Sequence, residues 1–246
     1  MNYMWNWSVF AQESLDGSGT YLNLLLMGLR VTITTALCAW FLALVLGLVV
    51  GVLRTLPSKA GQTFASGYVE LFRNIPFLVQ IFLWYFVLPE LLPQEIGQWL
   101  KNLPDAPFWT TVFALGFYMS ARVAEQLRAG LGSLPRGQRF AGTAIGLTTA
   151  QVYRYVLLPM AFRIILPPLT SEFMGTIKYS SVALTIGLLE LTGQARSMQE
   201  FSFHIFEAFS AATLIYLLIN GVVVLGMRAL ERRVAVPGLI GSDRKA

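Results

Sequence analysis

The chain has 246 residues, 55% hydrophobic and 13% charged, too apolar for a soluble domain of this length. Its formal charge of +5 comes from Lys and Arg scattered between apolar segments, which excludes a nucleic-acid-binding stripe. The one cysteine, Cys38, lies in an apolar run, which excludes a disulfide framework and a thiolate metal cluster and leaves an all-α membrane protein in contact with lipid.

The opening MNYMWNWSVF carries no basic residue, and the apolar run after it is too long for a cleavable signal, so it is expected to remain as an anchor. Spans of about 20 apolar residues cross the hydrocarbon core. Five are predicted in one transmembrane domain over 1–246, at about 31–53, 66–88, 108–130, 168–190 and 208–227. The first and last carry no charge and are candidates to face lipid; ionisable residues interrupt the other three. The longest inside loop runs over about 131–167.

Within that loop, Pro135 suits a first helical turn after Ser133, and Gly146 suits a left-handed stop after Ile145. Thr148 and Gln151 stand at capping-box spacing and start a second helix expected to end before Pro159. Val152, Tyr155 and Val156 are expected to follow one face of it, an apolar stripe that rests on the membrane or docks to a partner.

Orientation follows from the basic residues, which accumulate on the cytoplasmic side. With the C-terminus inside, the inner segments hold Arg54, Lys59, Arg128, Arg136, Arg139, Arg154, Arg163, Arg228, Arg232, Arg233, Arg244 and Lys245. The outer ones hold Arg30, Lys101 and Arg196 beside Glu13, Asp16, Glu90, Glu95, Asp105, Glu190, Glu200 and Glu207. Trp5, Trp7, Tyr21, Trp84, Tyr85, Trp99 and Trp109 then gather at the outer interface, where an aromatic belt suffices to explain them.

Ionisable residues inside a span need a polar partner. At roughly 1.5 Å per residue, Lys178 falls near the bilayer centre, with Arg122 and Arg73 about 5 and 6 Å to its cytoplasmic side. Spans two, three and four are therefore expected to line a shared path. Glu70 stands three residues from Arg73, and Glu125 three from both Arg122 and Arg128, so structural pairing is the competing role. Lys178 has no partner at helical spacing, because Glu172 is about 240° round the helix.

The stretch FAGTAIGLTTAQVYRYVLLP resembles the EAA loop of ABC-importer permeases, with pattern Glu-Ala-Ala, three residues, Gly, nine residues, Ile-x-Leu-Pro. Ala141, Gly146, Leu158 and Pro159 match in register, Val156 stands for the Ile and Gly142 for the second Ala. Phe140 occupies the Glu position and leaves no carboxylate for a contact there. GLRVTITTA, YVELFRNIPFLVQIF, ARVAEQLRAGLGSLPRGQ and the AFRIILPPL-to-IKYSSVALTIG region extend the likeness to polar-amino-acid importer permeases, most of all those for glutamate/aspartate. Those resemble ARVAE in carrying an arginine, where most others have tyrosine. The resemblance implies an ABC type I importer permease in the bacterial inner membrane, N-terminus outside. It pairs with a second permease, the same or homologous, and works with an ABC ATPase dimer and a periplasmic solute-binding protein. It also implies ATPase docking through Ala141, Gly142, Gly146, Val156, Leu158 and Pro159, while substrate contact at Arg122, Lys178 and Arg73 is expected from their depth inside the spans.

Other classes fit less well. The single histidine, His204, lies outside, which removes His-based metal or triad chemistry from the bundle. No GxxxxGK[ST] occurs, so ATP hydrolysis is not expected of this chain and no cofactor is implied. A proton- or ion-coupled secondary transporter is the alternative, with Glu70, Glu125 and Glu172 as carriers and broken helices at Pro76 and Pro167-Pro168. Such a carrier has no need of the elbow at Gly146.

Overall fold

The structure, a computed structural model, describes residues 3–14, 17 and 19–234. Asp16, Arg244 and Lys245, used above to orient the chain, lie outside them. Regular structure among the described residues is helical apart from one isolated bridge, Glu13 to Thr20.

Helix α1 (Tyr21–Leu53) starts where the Thr20 hydroxyl accepts the Asn23 N–H at 3.3 Å. Its 33 residues span about 50 Å, longer than the hydrocarbon core. One side carries Ala36, Ala39, Ala43 and Gly47, all buried, while Leu37, Phe41 and Val45 face outward. The small residues let α6 (Ala106–Gly132) approach closely. A methyl group at Gly47 would stand 2.6 Å from Val123 Cγ1 and 2.8 Å from the Ser120 carbonyl.

The predicted span at 66–88 is broken. Helix α2 (Lys59–Asn74) ends at Pro76, which forces Ile75 into extended backbone at φ −99°. The segment Phe77–Leu91 then leaves at 100° to α2. Buried Gln80 secures the corner, its amide donating to the carbonyls of Phe72 and Ile75 at 2.8 Å each. Beyond α3 (Phe77–Phe82), α4 (Leu88–Leu91) and α5 (Gln94–Lys101) pack on one another, with a cavity between them and the N-terminal end of α6. Four of the predicted belt residues, Trp84, Tyr85, Trp99 and Trp109, line one cavity there of about 800 Å³.

After α6 come α7 (Arg136–Ala144) and α8 (Thr149–Val152). The second helix does not end before Pro159. It continues through a π turn at Tyr153–Leu157 into α9 (Leu158–Tyr179), helical overall from Thr149 to Ile186. The Leu158 N–H bonds to the Tyr153 carbonyl, five residues back. The widened turn shifts the ladder just before Pro159, which has no N–H to contribute. The same device recurs at Leu83–Val87, where the Leu88 N–H reaches the Leu83 carbonyl just before Pro89.

The helix that holds the predicted fourth span therefore begins well before 168, at Thr149. It stops short of Glu190: a 3-10 stretch, Ser180–Ile186, ends at Gly187 in the left-handed region, and Glu190 caps α10 (Leu191–Ser202). The last helix, α11 (Ile205–Val234), presents Leu217, Leu218 and Val222 outward as a lipid-facing helix should.

Three helices, Tyr21–Leu53, Thr149–Ile186 and Ile205–Val234, are long and apolar enough to cross a membrane, or four if the bent pair at Pro76 is one span. The remaining predicted span coincides with α6, which carries Arg122, Glu125 and Arg128 and is not among them. Yet α6 sits at the centre of the fold, packed by α1, α2 and α9 around Leu115, Met119, Leu127 and Ile165.

Candidate functional site

The charges on α6 point to two different neighbours. Arg122 faces α9: its Nη1 donates to Glu172 Oε2 at 3.2 Å, and Gln126 Nε2 donates to Glu172 Oε1 at 3.2 Å. The guanidinium carbon lies 5.6 Å from the ring centre of Tyr118 and 6.0 Å from that of Tyr179, within the range of cation–π attraction. The two rings meet edge to face at 5.4 Å.

Ser171, Glu172, Gly175, Lys178 and Tyr179 lie close along α9 and, with Arg122, line a cavity of about 420 Å³, the size of small-ligand sites. Two of the predicted pathway residues, Arg122 and Lys178, thus meet in one cavity. The charges around it are two cations and one carboxylate. Glu172 is well covered at 13% side-chain exposure, against 36% for Arg122.

Arg73, the third predicted pathway residue, is elsewhere. It stands 3.7 Å from Glu125, which also accepts from Arg128 at 2.6 Å and from Arg54. This cluster ties α1, α2 and α6 together. The pairings weighed from helical spacing change accordingly. Among the described residues no ion pair joins Arg122 to Glu125 or Glu70 to Arg73. Residues three apart on one helix are still about 60° apart in direction, enough here to send Arg122 to α9 and Glu125 towards α1 and α2. Glu125, held by arginines, is poorly placed to carry protons.

A second candidate region is the elbow. Gly146 adopts φ +86°, its N–H bonding to the Thr143 carbonyl at 3.0 Å and the Leu147 N–H to the Gly142 carbonyl at 3.1 Å. This is the Schellman pattern that a left-handed stop produces. The Thr148 capping box is complete: its N–H donates to Gln151 Oε1 at 2.8 Å and its Oγ1 accepts the Gln151 N–H at 3.4 Å.

The apex is apolar and uncovered, with Phe140 69% and Ile145 77% exposed. Ala141, Gly146 and Pro159 are exposed with it, whereas Gly142 is buried and Val156 and Leu158 pack half-buried on the core. The stripe expected on the second helix is divided. Val152 and Tyr153 turn inward and Tyr155 outward, because the π turn resets the helical register between them. Tyr153 anchors the elbow, its hydroxyl donating to the Thr55 carbonyl at 2.8 Å, just beyond α1.

Sequence reasoning missed Glu172 as the partner of Arg122, and the ring pair Tyr118 and Tyr179. It placed Glu190 and Glu207 in the outer segments without foreseeing that both side chains are fully buried. Glu190 accepts from the Gly193 N–H at 2.8 Å, the Thr192 N–H at 3.0 Å and the Tyr216 hydroxyl at 2.7 Å. Glu207 accepts from the Asn6 N–H at 2.7 Å. A carboxylate alone in a sequence does not reveal that it caps a helix from inside.

Residues 43–236 match the family described as binding-protein-dependent transport system inner membrane component. The glutamate/aspartate import permease protein GltJ of Escherichia coli K12 is 47% identical over 244 residues, 98% of this chain and 99% of that one. The glutamine transport system permease protein GlnP of the same organism is 33% identical over 213 residues, 87% and 94% of the two chains. Among solved structures, an amino acid ABC transporter with histidines superposes with a TM-score of 0.74 at 32% identity, over 87% of this chain and 95% of that one. An inward-facing MetNI methionine ABC transporter gives 0.72 at 22% identity, over 87% and 98%, which supports the fold alone. The helical fold, the Gly146 elbow and these likenesses over nearly the full length agree, and the chain belongs to the binding-protein-dependent transport system inner membrane components, multi-pass permease subunits of ABC importers whose ATP hydrolysis resides in a separate subunit.

Proposed function

We propose that this permease carries glutamate and aspartate, with Arg122 and Lys178 as the residues that meet the substrate's carboxylates. The observation that carries the reading is the cavity between α6 and α9, where two cations face one carboxylate and leave an unbalanced positive charge. A guanidinium binds a carboxylate in a defined geometry and keeps its charge at mid-membrane. The extent of the likeness to the glutamate/aspartate permease supports the same substrate class.

The working assembly in this reading is two permeases, identical or homologous, an ATPase dimer on the inner side and a solute-binding protein on the outer side. The exposed apex at Phe140, Ala141, Ile145 and Gly146 docks to the ATPase. One continuous helix then joins the elbow to the cavity, since Thr149–Ile186 carries Glu172 and Lys178 as well as α8. Swinging a two-state path from 1:99 to 99:1 takes about 5.5 kcal/mol of differential binding, within reach of nucleotide bound at two sites.

Reconstitution tests the reading. Labelled glutamate enters vesicles only when ATP, the ATPase subunit and the binding protein are all present, and aspartate competes while glutamine does not. Uptake driven by a proton gradient without ATP, or equal competition by glutamine, overturns it.

The five-span topology, with the N-terminus outside, is part of the proposal and has its own test. Lys59 and Glu200 are both exposed. In a Cys38→Ser background, cysteine at 59 reacts with an impermeant maleimide from the cytoplasmic side, and cysteine at 200 from the outer side. Labelling of both from one side means a different number of crossings between them.

A further inference from the structure

Within the cavity, Arg122 is paired with an anion of the chain itself. Glu172 spans two donors, Arg122 through one oxygen and Gln126 through the other, each at 3.2 Å. The contact to Arg122 is single and long beside the roughly 2.7–2.9 Å of a tight charge-assisted bond. A carboxylate entering the cavity therefore meets a guanidinium that is occupied but not locked. Ser171, Gly175 and Lys178 leave about 420 Å³ of room beside it.

We infer that Glu172 is a resident counter-anion, holding the place on Arg122 that a substrate carboxylate takes, and that it sets the net charge of the substrate the cavity accepts. The inference rests on the reading of this cavity as the substrate site. With Arg122, Lys178 and Glu172 charged, the cavity holds one net positive charge. An amino acid with an acidic side chain carries one net negative charge at neutral pH and balances it. A zwitterionic amino acid leaves the positive charge unbalanced, and a cationic one doubles it. A dicarboxylate lacking the amine carries one negative charge too many.

Glu172 has a second consequence through competition. Once displaced, it remains beside the substrate as a like charge ready to return to Arg122, which favours release. Binding is weakened and turnover is helped by the same residue.

The test is equilibrium binding of labelled glutamate to the permease purified with its partner subunits, without the binding protein, together with transport kinetics. Glu172→Gln is expected to tighten glutamate binding about tenfold, the worth of one charge-assisted hydrogen bond no longer competed for, while kcat falls with KM. Succinate, a poor competitor on the wild type, becomes an effective one. Glu172→Asp, charged but shorter, falls between. A merely structural Glu172 predicts the opposite order, with affinity lost in Gln and retained in Asp. If the Gln variant does not assemble, Glu172→Asp carries the test. Unchanged or weaker affinity in the variants that assemble overturns the inference, as does succinate inhibiting wild type and Glu172→Gln alike. Arg122→Tyr separates the two levels. Normal glutamate binding by that variant overturns the substrate reading itself, whereas lost binding there with no tightening in the Glu172 variants overturns only the role of Glu172.

Discussion

Arg122→Tyr is expected to lower glutamate uptake at sub-saturating concentration by roughly 10- to 150-fold, the equivalent of about 1.5–3 kcal/mol of charge-assisted hydrogen bonding. Tyrosine keeps an aromatic, hydrogen-bonding side chain next to Tyr118 and Tyr179 but removes the charge. Arg122→Lys restores only part of the rate, since an ammonium keeps the charge and loses the planar fork. The competing role is structural, and the observed ion pair defines its control: Glu172 on α9 is the partner of Arg122, not Glu125 on the same helix. If Arg122 serves only to neutralise Glu172, a single Arg122→Gln change leaves a largely covered carboxylate uncompensated, and the double change Arg122→Gln with Glu172→Gln relieves it. A double variant that transports glutamate at the wild-type rate assigns Arg122 to structure. A double variant that assembles and still fails to transport assigns it to the substrate.

What could be read from the sequence divides by distance along the chain. Features fixed within a few residues were legible. The Gly146 stop and the Thr148–Gln151 box depend on local hydrogen bonds, and both form as expected. The charge-free runs of the first and last spans fall inside α1 and α11 for the same reason. The length of helices through proline was not legible. Pro159 read as a stop and Pro167-Pro168 as a break, yet a π turn absorbs the first and α9 runs through the other two.

Charge pairing was legible only in part. Spacing offered Arg122 a partner three residues away, while its actual partner is fifty residues on, across a helix interface. Nothing in a one-dimensional pattern fixes how α6 is rotated relative to α9. The same rotation separates Arg73 from Arg122, two residues that depth alone placed together. The cavity, by contrast, was half legible, because intramembrane cations need polar surroundings and spans two, three and four were expected to line a shared path.

The elbow carries the second large effect. At φ +86° Gly146 sits where a side chain costs roughly 1–2 kcal/mol through contact with its own backbone. No other atom lies within 4 Å of an added Cβ, so the penalty comes from the turn itself and not from a neighbour. Gly146→Val is therefore expected to move the apex at Phe140 and Ile145 without disturbing the core. Gly146→Pro moves it further, because it fixes φ near −65° and removes the N–H that bonds to the Thr143 carbonyl. Asparagine tolerates the left-handed region better than other side chains, so Gly146→Asn should keep most of the function. The expected order of uptake, and of ATPase stimulation by loaded binding protein, is Gly, Asn, Ala, Val, Pro. All five proteins should reach the membrane at similar levels, since Gly146 is exposed and packs against nothing. Because Thr149–Ile186 is one helix from the elbow to Lys178, a displaced apex is expected, under the proposed coupling, to misdirect the push that docking would deliver to Glu172 and Lys178. Glutamate binding to the purified complex should stay within about twofold of wild type in the Val variant while transport is lost, a separation that a folding defect does not produce. Wild-type uptake and stimulation in both the Val and the Pro variants would mean that the elbow at Gly146 does not transmit the stroke.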